Sequence, residues 1–133
     1  MESGFRQLDT REKGLLEKLL EGAFPGRAEL RTQLSSLTAK QIEKDGTLIL
    51  RCDSGTPSPG NYRPAVEGMC KDADGMAISV LLHIDKNGFM HMLEIIKYDG
   101  TPIVRSPSAC DLMVLPAETR GQKQEQSGSN TAE

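Results

Sequence analysis

The chain has no tryptophan, and aromatic residues make up only 4% of its 133 positions. A core of ordinary size therefore has to be built from Leu, Ile, Val and Met. Basic residues are also in the minority, 16 Lys and Arg against 19 Asp and Glu, and none of them cluster. With a net charge of -3 there is no positive field for a phosphate backbone, so no nucleic-acid partner is expected. No apolar run approaches the ~18 residues of a spanning helix. The opening "MESGFRQLDT" lacks the basic and apolar regions of a secretory signal. A cytoplasmic protein without a membrane partner is the expectation. Cys52, Cys70 and Cys110 are odd in number and contain no C-x-x-C, so neither a disulfide framework nor a zinc knuckle is indicated. Small core or half-buried thiols are the simplest reading. A P-loop, a dinucleotide fingerprint and a G-x-S-x-G elbow are all missing.

What is present suits one domain, since compact domains of roughly 100–150 residues bury a single core. In "LDTREKGLLEKLLEG", Asp9 stands three residues before Glu12, the spacing of a capping box. Leu15, Leu16, Leu19 and Leu20 then form one apolar stripe, and Gly22 is a natural stop. "FPGRAELRTQLSSL" starts again, with Pro25 in a first turn and Leu30, Leu34 and Leu37 as a second, weaker stripe. Beyond Leu37 the period becomes alternating. "KDG" at 44–46 predicts a type I′ hairpin at Asp45-Gly46. The Pro- and Gly-rich stretch 53–64 is a long loop of the kind that is often functional. "AVEGMCK", "MAISVLLHI" and "FMHMLEIIKY" read as strands, and "SACDLMVL" as a short strand or single helical turn. Residues 1–8 are expected to form a flexible N-terminus, 9–116 the domain, and 117–133 a disordered polar tail. The fold class is α+β: two N-terminal helices packed on one face of an antiparallel sheet of about four to six strands.

Metal chemistry is suggested by "HIDKNGFMHM", with two histidines, an aspartate and two methionines around Asn87-Gly88. Taking Asn87-Gly88 as a two-residue turn, Leu82 faces Leu93 and Val80 faces Ile95. Ile78, Val80, Leu82, Ile84, His91, Leu93 and Ile95 then share one face, and Ala77, Ser79, Leu81, His83, Met90, Met92, Glu94, Ile96 and Tyr98 the other; a four-residue turn over Asp85 to Gly88 leaves the faces unchanged, and only a one-residue change in the loop swaps them. The two histidines diverge, so no joint metal site is expected. His83 with Met90 and Met92 as a Cu(I) site is far less economical than a packing role for the methionines. "CKDADG" fails as a calcium loop because Cys70 and Leu81 stand where carboxylates are required. Arg27 and Arg31 could clamp an anion, but a solvated helix face explains them as well. No catalytic residue, metal ligand or cofactor emerges.

The combination of "LLEKLLEGAFPGRAELRTQL", "KDGTLIL", "DADGMAISVLLHIDKNGFMHMLEI" and "YDGTP" resembles a family of small uncharacterised bacterial proteins, a domain of unknown function, over about residues 9 to 116. The resemblance rests on packing and turn motifs, most tellingly the LL-x-x-LL helix, the FPGR turn and the VLLHI hairpin. It implies a helix-helix-sheet fold and a bacterial source, and it carries no catalytic residues.

Two helices can cover one face of a small sheet, yet the second face displays Leu81, Met90, Met92, Ile96 and Tyr98. That is more apolar than a solvated face normally is. Either the long loop and the "DLMVL" segment fold over it, or another chain does. The expected function is a non-enzymatic binding or protein-interaction module, an accessory or immunity-type protein. It would use Leu81, His83, Met90, Met92, Ile96 and Tyr98 together with Tyr62 and Arg63 of the 53–64 loop, with a protein partner or a second copy. The alternative is a small-molecule or metal-dependent enzyme with a site near His83, paired with Glu94 as acid and base, and the same loop.

Overall fold

The structure is a computed structural model and describes residues 4–59 and 65–115. The expected tail at 117–133, and Tyr62 and Arg63, lie outside the described residues. Helix α1 spans Thr10–Leu19 and begins as the sequence predicts. Glu12 N–H donates to Asp9 Oδ1 at 2.7 Å, and Asp9 N–H donates to Glu12 Oε1 at 3.0 Å. Arg6 adds two hydrogen bonds to the same carboxylate, at 2.8 and 2.9 Å. The guanidinium, together with the Asp9 N–H, overcomes the burial of Glu12 and holds its carboxyl below the ordinary range. Asp9→Ala is expected to lower stability by about 1 kcal/mol in urea unfolding, and Asp9→Ser by much less.

Helix α2 is shorter than its stripe suggests, Arg27–Gln33, and starts from Gly26 in the left-handed region. A 3-10 turn at Leu34–Ser36 ends it. Leu37, expected to extend that stripe, is instead the buried first residue of a strand.

The strands are β1 (Arg6–Gln7), β2 (Leu37–Gln41), β3 (Leu48–Cys52), β4 (Val66–Lys71), β5 (Ala77–Ile84), β6 (Met90–Lys97) and β7 (Met113–Val114). They form one sheet in the order β1-β2-β3-β6-β5-β4-β7, antiparallel throughout. The fold class is thus α+β as expected, with seven strands rather than four to six. The extra strands are the two edges, each only two residues long, too short for alternation to be read. One of them places Arg6 and Gln7, expected to be flexible, in register with Ala39 and Thr38. "SACDLMVL" turns out to be both of its alternatives, a 3-10 turn at Ala109–Asp111 followed by β7.

Three hairpins share one turn. Gly46, Gly75 and Gly88 donate to the carbonyls of Glu43, Asp72 and Asp85, three residues back, at 3.1, 2.9 and 3.0 Å. Each glycine is left-handed, at φ +102°, +87° and +90°, and no other described residue type has positive φ. Asp45 and Asn87 therefore do not enter a type I′ turn. They take the third position of a four-residue turn whose glycine alone carries the strain.

This difference rearranges the tip of the β5–β6 hairpin. Asp85 bonds to Phe89, Ile84 pairs with Met90, and His83 pairs with Met92, leaving His91 as an unpaired extra residue. The bulge flips the parity of everything beyond it. Met90 turns into the core, 1% exposed, rather than onto the second face. His91, expected at the fringe of the core face, is exposed.

The core lies between the helices and one sheet face. Leu15, Leu16, Leu19, Leu20 and Leu30 meet Leu48, Ile78, Val80, Leu82, Met90, Leu93 and Ile95, all buried. Leu112 reaches the same layer because Gly68 opposite has no side chain; a Cβ there would stand 2.9 Å from Leu112 Cγ.

Candidate functional site

The strand registers place every outward residue. On the face away from the helices, one row runs Lys40, Ile49, Met92 and His83 across β2, β3, β6 and β5. The next holds Glu94, Leu81 and Glu67, and the third Ile96, Ser79, Met69 and Met113. Ile96, Tyr98 and Met113 are exposed, at 41%, 60% and 61%. Leu81, Met92, Ile49 and Met69 are half-buried.

The polar groups of the face are paired locally. His83 Nε2 lies 2.8 Å from Glu94 Oε1, so these two side chains are in hydrogen-bond contact on the face. Ser79 Oγ lies 3.2 Å from Tyr98 Oη and 3.4 Å from Glu67 Oε2, within hydrogen-bond reach of both. Arg51 sits over the Phe5 ring, 4.3 Å from its centre, beside Ile49. Among the described residues no three His, Cys, Asp or Glu side chains converge on one point.

Of the residues singled out from sequence, the structure brings Leu81, His83, Met92, Ile96 and Tyr98 onto one surface and removes Met90 to the core. Ile49, Met69 and Met113 belong to the surface and were missed. Their alternation is visible in "LILRC" and "VEGMCK", but which strands flank β5 and β6 is a matter of topology that one strand's pattern does not contain.

Of the described segments, Gly4–Phe5 lies against this face at its β2–β3 edge, on Lys40 and Arg51. Residues 53–59 pack instead on α2 and the hairpin tip: Thr56 N–H donates to Thr32 Oγ1 at 2.8 Å, and Ser58 N–H to Gly88 O at 2.8 Å. Leu112 enters the core from the other side. An open groove of about 920 Å³ lies where β3 parts from β6, with the 43–46 turn on one side and Gly100–Ile103 on the other. It takes in Met92, Glu94 and Ile96 but not His83.

That loop is anchored by a buried ion pair. Lys97 Nζ lies 2.9 Å from Asp72 Oδ2 and 2.6 Å from Asp74 Oδ2, and it donates to Pro102 O at 3.1 Å. Asp72 also accepts from Val104 and Arg105 N–H, both at 2.8 Å. Burial alone would push the Asp72 carboxyl up; the Val104 N–H, the Lys97 ammonium and the N–H groups of Arg105 and Ala73 outweigh it and hold the group well below the usual carboxylate range. The Asp72 cluster is a staple under the groove, not part of the open face.

Fold and surface together define an α+β domain with a one-sided helical cover and an open, apolar sheet face. The chain belongs to a family described as a domain of unknown function, DUF6984, whose model matches residues 5–107. Comparison with curated proteins and with solved structures gave no match. No helix among the described residues is long and apolar enough to cross a membrane.

Proposed function

We propose that this domain is a non-enzymatic binding module whose open sheet face docks a protein surface. The observation that carries the reading is the face itself. Leu81, Met92, Ile96 and Tyr98 with Ile49 and Met69 form an apolar area on the side away from the helices, met among the described segments by Gly4–Phe5 at its β2–β3 edge. The described part of the 53–64 loop, residues 53–59, packs on α2 and the β5–β6 turn, so the proposal rests on the sheet residues. Cysteines that are free of disulfides at positions 52, 70 and 110 suit work in a reducing compartment such as a bacterial cytoplasm. A hydrolytic or redox site around His83 and Glu94 has less support, because that pair stands open on the sheet with no groove enclosing both groups.

The test is photo-crosslinking of the full chain in cells, with benzoylphenylalanine at position 81 or 96. Protein adducts are expected from both positions and not from Glu17, which is exposed on the outer side of α1. Absence of adducts at 81 and 96, or equal adducts at 17, overturns the proposal.

A further inference from the structure

Asn87-Gly88, at the tip of the β5–β6 hairpin, carries a chemistry of its own that neither the core nor the sheet face uses. A backbone nitrogen that follows asparagine can attack the side-chain amide, and it does so most easily when it belongs to glycine, which has no Cβ to obstruct the approach. The Gly88 nitrogen, its proton lost to hydroxide, bonds to Asn87 Cγ. The Cγ–Nδ2 bond breaks, ammonia leaves, and a five-membered succinimide closes. Water then opens the ring. Attack at Cγ gives an aspartate, and attack at the backbone carbonyl gives an isoaspartate, whose chain runs through the former side chain. Asn87 is exposed, so hydroxide and water reach it.

The folded turn opposes this ring closure in three ways. Lys86 and Asn87 both have negative φ, and Gly88 N–H donates to Asp85 O at 3.0 Å, a combination that leaves the type I turn. The third residue of that turn has ψ of about 0°, whereas closure brings the nitrogen into eclipse with Cβ, about 120° away in ψ. The same hydrogen bond also holds the proton that the nitrogen must lose. Gly88 itself is buried and cannot rotate. Its carbonyl accepts from Ser58 N–H at 2.8 Å and from Gln33 Nε2 at 3.0 Å, and a Cβ there would collide with the Ser58 backbone. Asp85 Oδ1, which takes Asn87 N–H at 2.9 Å and Phe89 N–H at 3.1 Å, pins the turn from inside.

Reaction therefore requires the tip to open, and its rate is that of an unstructured chain multiplied by the open fraction. We infer that Asn87 is a site of spontaneous modification gated by the Gln33 clamp, and that isoaspartate formed there keeps the clamp from closing again. Isoaspartate inserts an extra carbon into the backbone between residues 87 and 88 and sets a new carboxylate two residues from Asp85. Gly88 can then no longer keep its N–H on Asp85 O while its carbonyl lies under Ser58 and Gln33. An opening of loop and hairpin tip is thereby fixed covalently.

The experiment ages the full chain at mildly alkaline pH beside a synthetic peptide of residues 83–92, and follows position 87 by peptide mapping with fragmentation that separates aspartate from isoaspartate. The folded wild type is expected to react at least about tenfold more slowly than the peptide. Gln33→Ala, with folding checked by circular dichroism, is expected to recover about tenfold or more of that difference. Thr32→Val, which removes the acceptor of Thr56 N–H, is the milder variant and is expected to accelerate the reaction several-fold. In hydrogen exchange, the isoaspartyl chains are expected to lose protection at 54–59 and 88–90. Asn87→Asp, which adds the charge without the extra carbon, is expected to keep it. A wild type that reacts at the peptide rate overturns the gate, as does a rate unchanged in the folded variants. Isoaspartyl chains protected like the wild type overturn the claim that the clamp stays open.

Discussion

Asp72→Ala is expected to lower the melting temperature by roughly 10–20 °C, the largest effect of any single polar change outside the core. The carboxylate is inaccessible, and each of its oxygens is committed: Oδ2 to Lys97 and Val104 N–H, Oδ1 to the N–H groups of Ala73 and Arg105. Truncation leaves the Lys97 ammonium buried with Asp74 as its one remaining carboxylate and three backbone donors without their acceptor. The loop through 102–105 loses its anchor. Asp72→Asn keeps the shape but not the charge and is expected to fall between wild type and alanine.

The same site sets an acid dependence whose sign follows from the depressed carboxyl. A group held below its unfolded value contributes stability that is fully present above about pH 4 and is lost as the pH falls toward its folded value. Wild-type melting temperature is therefore expected to drop steeply below about pH 4. Asp72→Asn is expected to start lower and fall less. Glu12, depressed by Arg6, supplies a slope of the same sign that remains in the variant. Thermal melts at several pH values check both the order and the slopes; parallel curves would show that Asp72 is not the coupled group.

Gln33→Ala is the second large effect, about 3–4 kcal/mol in urea unfolding. Its side chain is fully buried and joins three segments. Nε2 donates to Thr56 O at 2.8 Å and Gly88 O at 3.0 Å, and Oε1 accepts from Met90 N–H at 2.9 Å. Removing it leaves a void and unpaired backbone groups at the start of the long loop and at the β5–β6 turn. Gln33→Glu is expected to be at least as harmful, because a carboxylate would face the two carbonyls the amide now serves. Hydrogen exchange should show residues 54–59 and 88–90 losing protection together. Loss confined to α2 would contradict the picture of one clamp holding loop and hairpin.

Gln33 and Asp72 also show where reading a sequence stops. Each looked ordinary: a polar position at the end of a leucine stripe, and one aspartate of a turn. Their importance lies in partners 23 and 55 residues away for Gln33, and 32 and 33 residues away for Asp72. Nothing periodic marks such contacts. The hairpin tip is a subtler case. Ile78 to Leu82 and Leu93 to Ile95 fall on the face that alternation assigns them. One extra residue at His91 was enough to send Met90 inward, because strand parity is exact and a bulge costs little at a hairpin end.

The sequence by itself determined the elements whose chemistry is local. These are the capping box at Asp9 and Glu12, the double-leucine stripe of α1, the glycine-ended turns, the strands around the VLLHI hairpin, and the two-layer class that follows from them. Only the tertiary structure decided which strands are neighbours, and therefore that Ile49 and Met69 join Leu81, Met92 and Ile96 on an open face while the 53–59 loop turns to the helices. Periodicity encodes which way a side chain points along its own strand; adjacency is chosen by the packing of the whole chain, where contacts distant in sequence compete for one core.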